Sequence, residues 1–252
     1  ERIAAVLRPC EIRALVELVK LKQASLERLI IIGMDCAGTY EISDYARLTQ
    51  GGDDPALRLL TEAAQGHIAS LDGYALRPAC RMCEYPSPVL AQITVGFIGV
   101  DGLMIDMDEE TARLLTPSWP RIPAGDLSFR QDIVQRLAAE RARQRDRAMA
   151  DFTGRVSSAV ALAAYFAACQ RCHNCMVACP ICYCKECLFR TAAMDRDATR
   201  YVRLADRKGA ARLPADTVLF HLTRLNHMST SCVGCGMCES ACPSDIPLTV
   251  LF

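Results

Sequence analysis

Apolar positions at the start of the chain alternate between continuous runs and a helical period. Ile3-Ala-Ala-Val-Leu7 is a short apolar run that reads as a buried strand, closed by Arg8-Pro9. From Glu11 to Leu21 the apolar residues fall at 12, 15, 16, 18 and 19, one face of a helix. Leu29 to Met34 is a second continuous run. Strand, helix and strand at this spacing predict a βαβ unit with parallel strands and a right-handed crossover. Pro55 to Ala64 is a further helical stretch, and Ile93 to Ile98 a third strand. Asp101-Gly102 is a turn pair ahead of Leu103-Met-Ile-Asp-Met107, which predicts a hairpin.

Beyond residue 108 the pattern changes. Thr116 to Gly125 carries Pro117, Pro120 and Pro123 and reads as a linker or wrapped loop. Asp126 or Ser128 is placed to cap a polar helix, Arg130 to Met149, dense in arginine. A basic run of this kind is expected to be a solvated face or a docking face for a partner subunit. Ser157 or Ser158 caps the next expected helix, Ala159 to Ala168. Residues 190–212 are charged and read as loop or irregular helix, and a last helix from Leu213-Pro214 runs through Val218, Leu219, Leu222 and Leu225. The pattern thus divides the chain into an α/β core over 1–125, a charged connecting helix over 126–156 and a helical domain over 157–252.

Composition adds limits. Lys and Arg number 29 against 29 Asp and Glu, a balance that argues against the basic face a nucleic-acid partner needs. At 51% hydrophobic residues the 252-residue chain can bury a substantial core. The run Ala159 to Ala168 falls short of the roughly 20 apolar residues of a membrane-spanning helix. No signal peptide is visible. Opening at Glu1 on a strand and stopping at Thr249-Val-Leu-Phe252, the chain is expected to be a piece of a longer protein, cut at both ends.

The 15 cysteines decide the chemistry. Cys169, Cys172, Cys175 and Cys179-Pro180, and again Cys232, Cys235, Cys238 and Cys242-Pro243, both follow C-x2-C-x2-C-x3-C-P. That spacing wraps three thiolates around one 4Fe–4S cube and sends the fourth to the other cube. One cluster is therefore expected on Cys169, Cys172, Cys175 and Cys242, and a second on Cys232, Cys235, Cys238 and Cys179. Zinc sites instead use Cys pairs separated by a longer loop, and disulfide frameworks belong to short secreted chains. Cluster ligation implies a reducing, cytoplasmic setting. Residues 180–231 between the motifs are too many for a small two-cluster ferredoxin with β-hairpins, so the module is expected to be all-α, each motif at the end of a helix.

Cys10 and Cys36 lie just beyond the carboxyl ends of the first two strands, the edge where ligands bind in open α/β sheets. With Cys80 and Cys83 they form a candidate third cluster. The competing reading leaves Cys10 and Cys36 as small buried residues and gives Cys80 and Cys83 to zinc or to nothing. Cys182, Cys184 and Cys187 follow a motif that is complete without them, which favours a role other than ligation, with alternative ligands or a redox reserve as the other options. His67, His173, His221 and His227 match no catalytic pattern and are expected to be packed or exposed.

Arg8-Pro-Cys-Glu-Ile-Arg-Ala-Leu15, Gly33-Met-Asp-Cys36, Cys80-Arg-Met-Cys83 and the strand Ile93 to Gly99 together resemble the beta subunits of deazaflavin-reducing hydrogenases and formate dehydrogenases. Cys169 to Cys187 and Ser231 to Leu248 resemble the helical dicluster module fused to that core. Similar endings occur in electron-input subunits of Rnf-type complexes and in heterodisulfide reductase-like proteins. The resemblance implies a flavin and iron–sulfur α/β core carrying FAD and a 4Fe–4S cluster. It adds weight to Cys10, Cys36, Cys80 and Cys83 as ligands. It implies an oxidoreductase subunit that passes electrons between a catalytic partner and a soluble carrier such as deazaflavin, ferredoxin or NAD(P). There is no G-x-G-x-x-G, and the resemblance assigns no flavin-contacting or catalytic residue. The alternative is a ferredoxin-like electron-transfer subunit with neither flavin nor catalysis.

Overall fold

The computed structural model of the chain describes residues 2–52, 54–68, 70–115, 125–194, 197–209 and 215–252. It divides into two compact units, Glu1–Met149 with Val233–Gly236, and Ala150–Cys232 with Met237–Phe252.

The first unit is built on a four-stranded mixed sheet. β1 (Ile3–Leu7), α1 (Pro9–Lys20) and β2 (Leu29–Met34) form the expected βαβ unit, with the two strands parallel and Ile3 opposite Leu29. α1 starts on a capping box. The Arg8 amide donates to Glu11 Oε2 at 2.7 Å, and Pro9 occupies the first helical position, where its missing N–H costs nothing. α2 (Ile42–Leu48), which no strong apolar period announces, then precedes α3 (Pro55–Ala64), started by Pro55 and capped by Asp54, which accepts from the Ala56 amide at 2.9 Å. α4 (Pro78–Arg81) is a single turn carrying Cys80. β3 (Ile93–Gly96) runs parallel to β2, and β4 (Met104–Met107) is antiparallel to β3, so the strand order is β1-β2-β3-β4. α5 (Glu109–Leu115) follows.

β1 departs from expectation. Ile3 is 68% exposed and Val6 64%, so this strand is not buried. It is the sheet's edge, paired among the described residues with β2 alone. The β3–β4 connection is also longer than a tight turn, because residues 97 and 98 are held elsewhere. The amides of Phe97 and Ile98 both donate to Asp35 Oδ2, at 2.9 and 3.0 Å.

The arginine-rich helix is α6 (Ser128–Arg155), and it is not a fully solvated face. Arg130, Ile133 and Arg141 are buried, and Ile133 joins Ala37, Ala63, Phe97 and Ile98 in the core of the first unit. Arg130 forks onto Asp35, Nη1 to Oδ2 at 2.6 Å and Nη2 to Oδ1 at 2.9 Å, and also donates to the Ile98 carbonyl at 2.7 Å. One carboxylate at the end of β2 thus ties down the end of β3 and the start of α6. The expected proline linker falls mostly at 116–124, and the expected Leu213-Pro214 helix start falls at 213–214, both outside the described residues.

The described residues of the second unit form helices, turns and loops, with no strand among them. α7 (Ala159–Tyr165) is capped by Ser158, whose Oγ accepts from the Ala161 amide at 3.1 Å. α8 (Asn174–Val177) lies inside the first cysteine motif. α9 (Ala198–Lys208) is a regular helix where loop or irregular structure was expected, started by an Asp197 cap on the Thr199 amide at 3.0 Å. α10 (Ala215–Met228) leads to the second motif, which contains α11 (Met237–Ser240). Phe166, Met176, Phe189, Phe220, Ile246 and Leu248 form this unit's core, with Cys175 buried among them. No helix among the described residues is long and apolar enough to cross a membrane.

Asp35→Asn leaves the Arg130 guanidinium buried without a counter-charge, a change of the kind that costs about 3–5 kcal/mol. Denaturant titration of this variant should show a loss of that order. A loss below about 1 kcal/mol, the scale of an exposed pair, would show that the pair does not anchor the fold.

Candidate iron–sulfur centres

The two cysteine motifs share one backbone shape. Arg171 and His173 in the first have φ of 57° and 61°, and at the same two positions of the second Gly234 and Gly236 have φ of 62° and 68°. A left-handed residue before and after the second cysteine curls the chain so that successive thiols face one centre. Glycine adopts this shape without strain, whereas Arg171 and His173 need support. Arg171 is held by an ion pair to Asp216 at 2.6 Å and by Tyr201, and His173 stacks on Phe220 with ring centroids 4.7 Å apart. α8 and α11, each starting right after the second left-handed residue, pack against each other.

Within the second unit, the charge of Cys242 bears on both Cys169 and Cys175, and Cys172 acts on the same two thiols. These influences link Cys169, Cys172 and Cys175 of the first motif with Cys242 of the second. Burial pushes the Cys175 thiol up to about 11 and raises Cys169 as well. Desolvated thiols hold their protons unless a cation shares the site. Cys179 Sγ contacts Met228 Sδ at 3.8 Å. Cys182 is raised by burial and feels Cys179, Cys184 and Cys187, while Cys187 Sγ packs on Met176 Sδ at 3.7 Å and Cys184 is exposed.

Two side chains on α10 complete this site, and neither was singled out from the sequence as a partner of the thiols. His221 is 2% exposed, lies flat on Phe166 with centroids 3.9 Å apart, and sets Nε2 3.3 Å from Cys169 Sγ. Burial, with Arg224 nearby, lowers its pKa to about 4, so the ring is neutral and can offer one N–H to the sulfur. His221 is therefore packed, as expected, and also bonded to a candidate ligand. Arg224 is buried, its Nε and Nη1 have no hydrogen-bond partner among the described residues, and its charge bears on Cys175 and Cys182. Of the other histidines, His67 and His227 are exposed.

The rim of the sheet gathers the remaining four. Cys36 feels Cys80 and Cys83, and Cys10 feels Cys36. Burial raises Cys36 and pushes Cys10 up to about 11, with Arg8 opposing. Gly38, at φ 113°, lets the chain past Cys36 run close under α4: a Cβ there would meet Leu76 Cδ1 at 2.9 Å and Cys80 Cβ at 3.3 Å. Thr39 Oγ1 sits 3.4 Å from Cys80 Sγ. Cys235 belongs to this unit too; its carbonyl accepts from Arg77 Nη2 at 3.3 Å and its charge bears on Cys10. Among the described residues no group of three or more His, Cys, Asp or Glu side chains is set to hold a single metal ion.

Residues 165–246 match the 4Fe-4S dicluster domain family. The whole chain aligns with the "F420-dependent formate dehydrogenase subunit beta" of Methanocaldococcus jannaschii at 26% identity, covering 70% of that protein. It aligns equally fully with the "F420-dependent formate dehydrogenase 1 subunit beta" of Methanococcus maripaludis, at 24% identity over 69% of that protein. The chain resembles the formate dehydrogenase beta-subunit family along its whole length and carries a 4Fe-4S dicluster module. These likenesses support an iron–sulfur electron-transfer role within an oxidoreductase.

The residues suit anionic clusters in two respects. The buried thiols need a cationic partner to ionise, as iron supplies, and the orphaned donors of Arg224 need an anion. If Cys242 completes the first motif's cube, Cys242→Ala should damage the EPR signal of the cluster on Cys169, Cys172 and Cys175 more than that of the cluster on Cys232, Cys235 and Cys238. Selective loss of the second signal would remove the exchange of fourth ligands.

Proposed function

We propose that the chain is the iron–sulfur flavoprotein subunit of a cytoplasmic oxidoreductase complex. It relays electrons between a catalytic partner of formate dehydrogenase, hydrogenase or heterodisulfide-reductase type and a soluble carrier such as deazaflavin, ferredoxin or NAD(P). The observation that carries this reading is the presence of two separate thiol gatherings, one in the dicluster module and one at the rim of an α/β sheet, each with a buried arginine beside it. An unbranched ferredoxin has no use for the second.

In this reading Cys169, Cys172, Cys175 and Cys242 hold one cluster, Cys232, Cys235, Cys238 and Cys179 the second, and Cys10, Cys36, Cys80 and Cys83 the third. The α/β core spans 1–125, the connecting helix 126–156 and an all-α dicluster domain 157–252. When bound, the clusters carry electrons singly and the flavin exchanges them in pairs with the carrier. The chain's own residues hold and tune. Exchanged fourth ligands lock the motifs into one piece, His221 offers its N–H to Cys169 sulfur, and Arg224 balances charge near Cys175.

FAD rests on the resemblance. A cleft of about 730 Å³ along Leu60, Phe97, Gly99, Leu103 and Phe129 has the size of a cofactor pocket, but no basic side chain lines it to meet a diphosphate. Arg81, Arg136, Arg141 and Arg143 line a separate cleft of about 420 Å³ together with Ile68, Leu76 and Leu137. The larger cleft offers an apolar lining without a phosphate site among the described residues, and this favours a second reading as a ferredoxin-like subunit without flavin.

Anaerobic purification of the native complex, followed by cofactor extraction and assay, separates the two. The proposal expects about one flavin per chain and formate- or hydrogen-driven reduction of a deazaflavin or another soluble carrier. Clusters without flavin, in a complex that reduces no soluble carrier, would contradict it.

A further inference from the structure

The first unit buries two arginines from one helix, and they are compensated differently. Arg130 forks onto the Asp35 carboxylate. Arg141, three turns along the same face of α6, is 3% exposed and has no carboxylate partner among the described residues. Its hydrogen bonds go to two backbone carbonyls, from Nη2 to Ala37 at 2.6 Å and from Nη1 to Cys83 at 3.4 Å. Ala37 follows Cys36 directly, so both carbonyls belong to the rim's cysteine segments. A guanidinium retains its proton even when buried, so a counter-charge must come from elsewhere. Among the described residues, the charges that bear on it are those of the Cys83, Cys36 and Cys80 thiols.

We propose that Arg141 is the built-in counter-charge of the rim cluster and a positioning residue that raises that cluster's reduction potential. The inference rests on the reading of Cys10, Cys36, Cys80 and Cys83 as ligands. Four thiolates around a cube leave a net negative charge, and reduction adds another. A fixed buried cation stabilises the reduced form more than the oxidised one, so it shifts the potential upward. The two carbonyl bonds fix the guanidinium and tie the Cys36 and Cys83 segments to α6. Arg8 cannot take this part, since its own charge is already matched by Glu11 at 2.6 Å. Arg130 is likewise spent on Asp35.

The test is an EPR-monitored redox titration, with iron analysis, of the full-length protein carrying Arg141→Gln or Arg141→Lys. At the wild-type midpoint of the rim cluster, Arg141→Gln should lower the reduced-to-oxidised ratio of that cluster at least tenfold, equal to 59 mV for one electron, and leave the two dicluster signals in place. Arg141→Lys, which keeps the charge, should stay within about threefold of wild type. Loss of only the rim iron in Arg141→Gln, with retention in Arg141→Lys, supports the same role. An unchanged rim potential in Arg141→Gln, an equal shift of all three signals, or loss of rim iron in both variants would overturn it. Wild-type protein with only two reducible clusters would instead remove the rim-cluster reading on which the inference stands.

Discussion

Thiols gathered in a desolvated place cannot hold negative charge by themselves. That constraint governs both halves of this chain. Burial drives Cys10 and Cys175 up to about 11 and raises Cys36 and Cys169, so without a cation these side chains are protonated and mutually crowded. In the proposed reading iron takes these thiolates as ligands, and the protein contributes the rest of the charge balance. In the dicluster module that contribution is Arg224 and the neutral N–H of His221; at the rim it is Arg141. Metal binding and folding are coupled wherever ligands are assembled from distant segments in this way.

The rim needs a rigid frame to bring segments from residues 10, 36, 80 and 83 together, and Asp35 supplies one. Its carboxylate takes two amides after β3 and a fork from Arg130, so the ends of β2 and β3 and the start of α6 are fixed around one buried charge. Cys36 follows that carboxylate directly. Further along the helix, Arg141 reaches the carbonyls beside Cys36 and Cys83. The dicluster motifs achieve the same end by local geometry: two left-handed residues at matching positions, glycine in one copy and braced Arg171 and His173 in the other.

Most of the α/β framework was legible from apolar runs. β1, β2 and α3 occupy the residues their patterns mark, and the parallel pairing of β1 with β2 follows from the helix between them. Pattern failed at α6 because arginine counts as polar wherever it points. Arg130, Ile133, Leu137 and Arg141 share one helical face, and that spacing was the available signal for a packed rather than solvated helix. The exposure of β1 was hidden for a different reason, since an apolar run carries no mark of whether a sheet continues past it. Spacing alone pointed to a dicluster module where residues 165–246 match that family, because the motif encodes a local wrap. The rim set is assembled through tertiary contacts, so spacing left it ambiguous. His221 touches Cys169 from 52 residues away in sequence, and the charge of Arg224 bears on Cys175 and Cys182, relations that periodicity does not record.

The central claim is that this chain holds three clusters, two in the helical module and one at the sheet rim. Quantitative EPR on the fully reduced, anaerobically purified protein tests it most directly, with Cys36→Ser as the comparison. The account predicts about three spins per wild-type chain and about two in Cys36→Ser, with the dicluster signals preserved. Two spins in both proteins, or zinc in place of the third cluster, would contradict it.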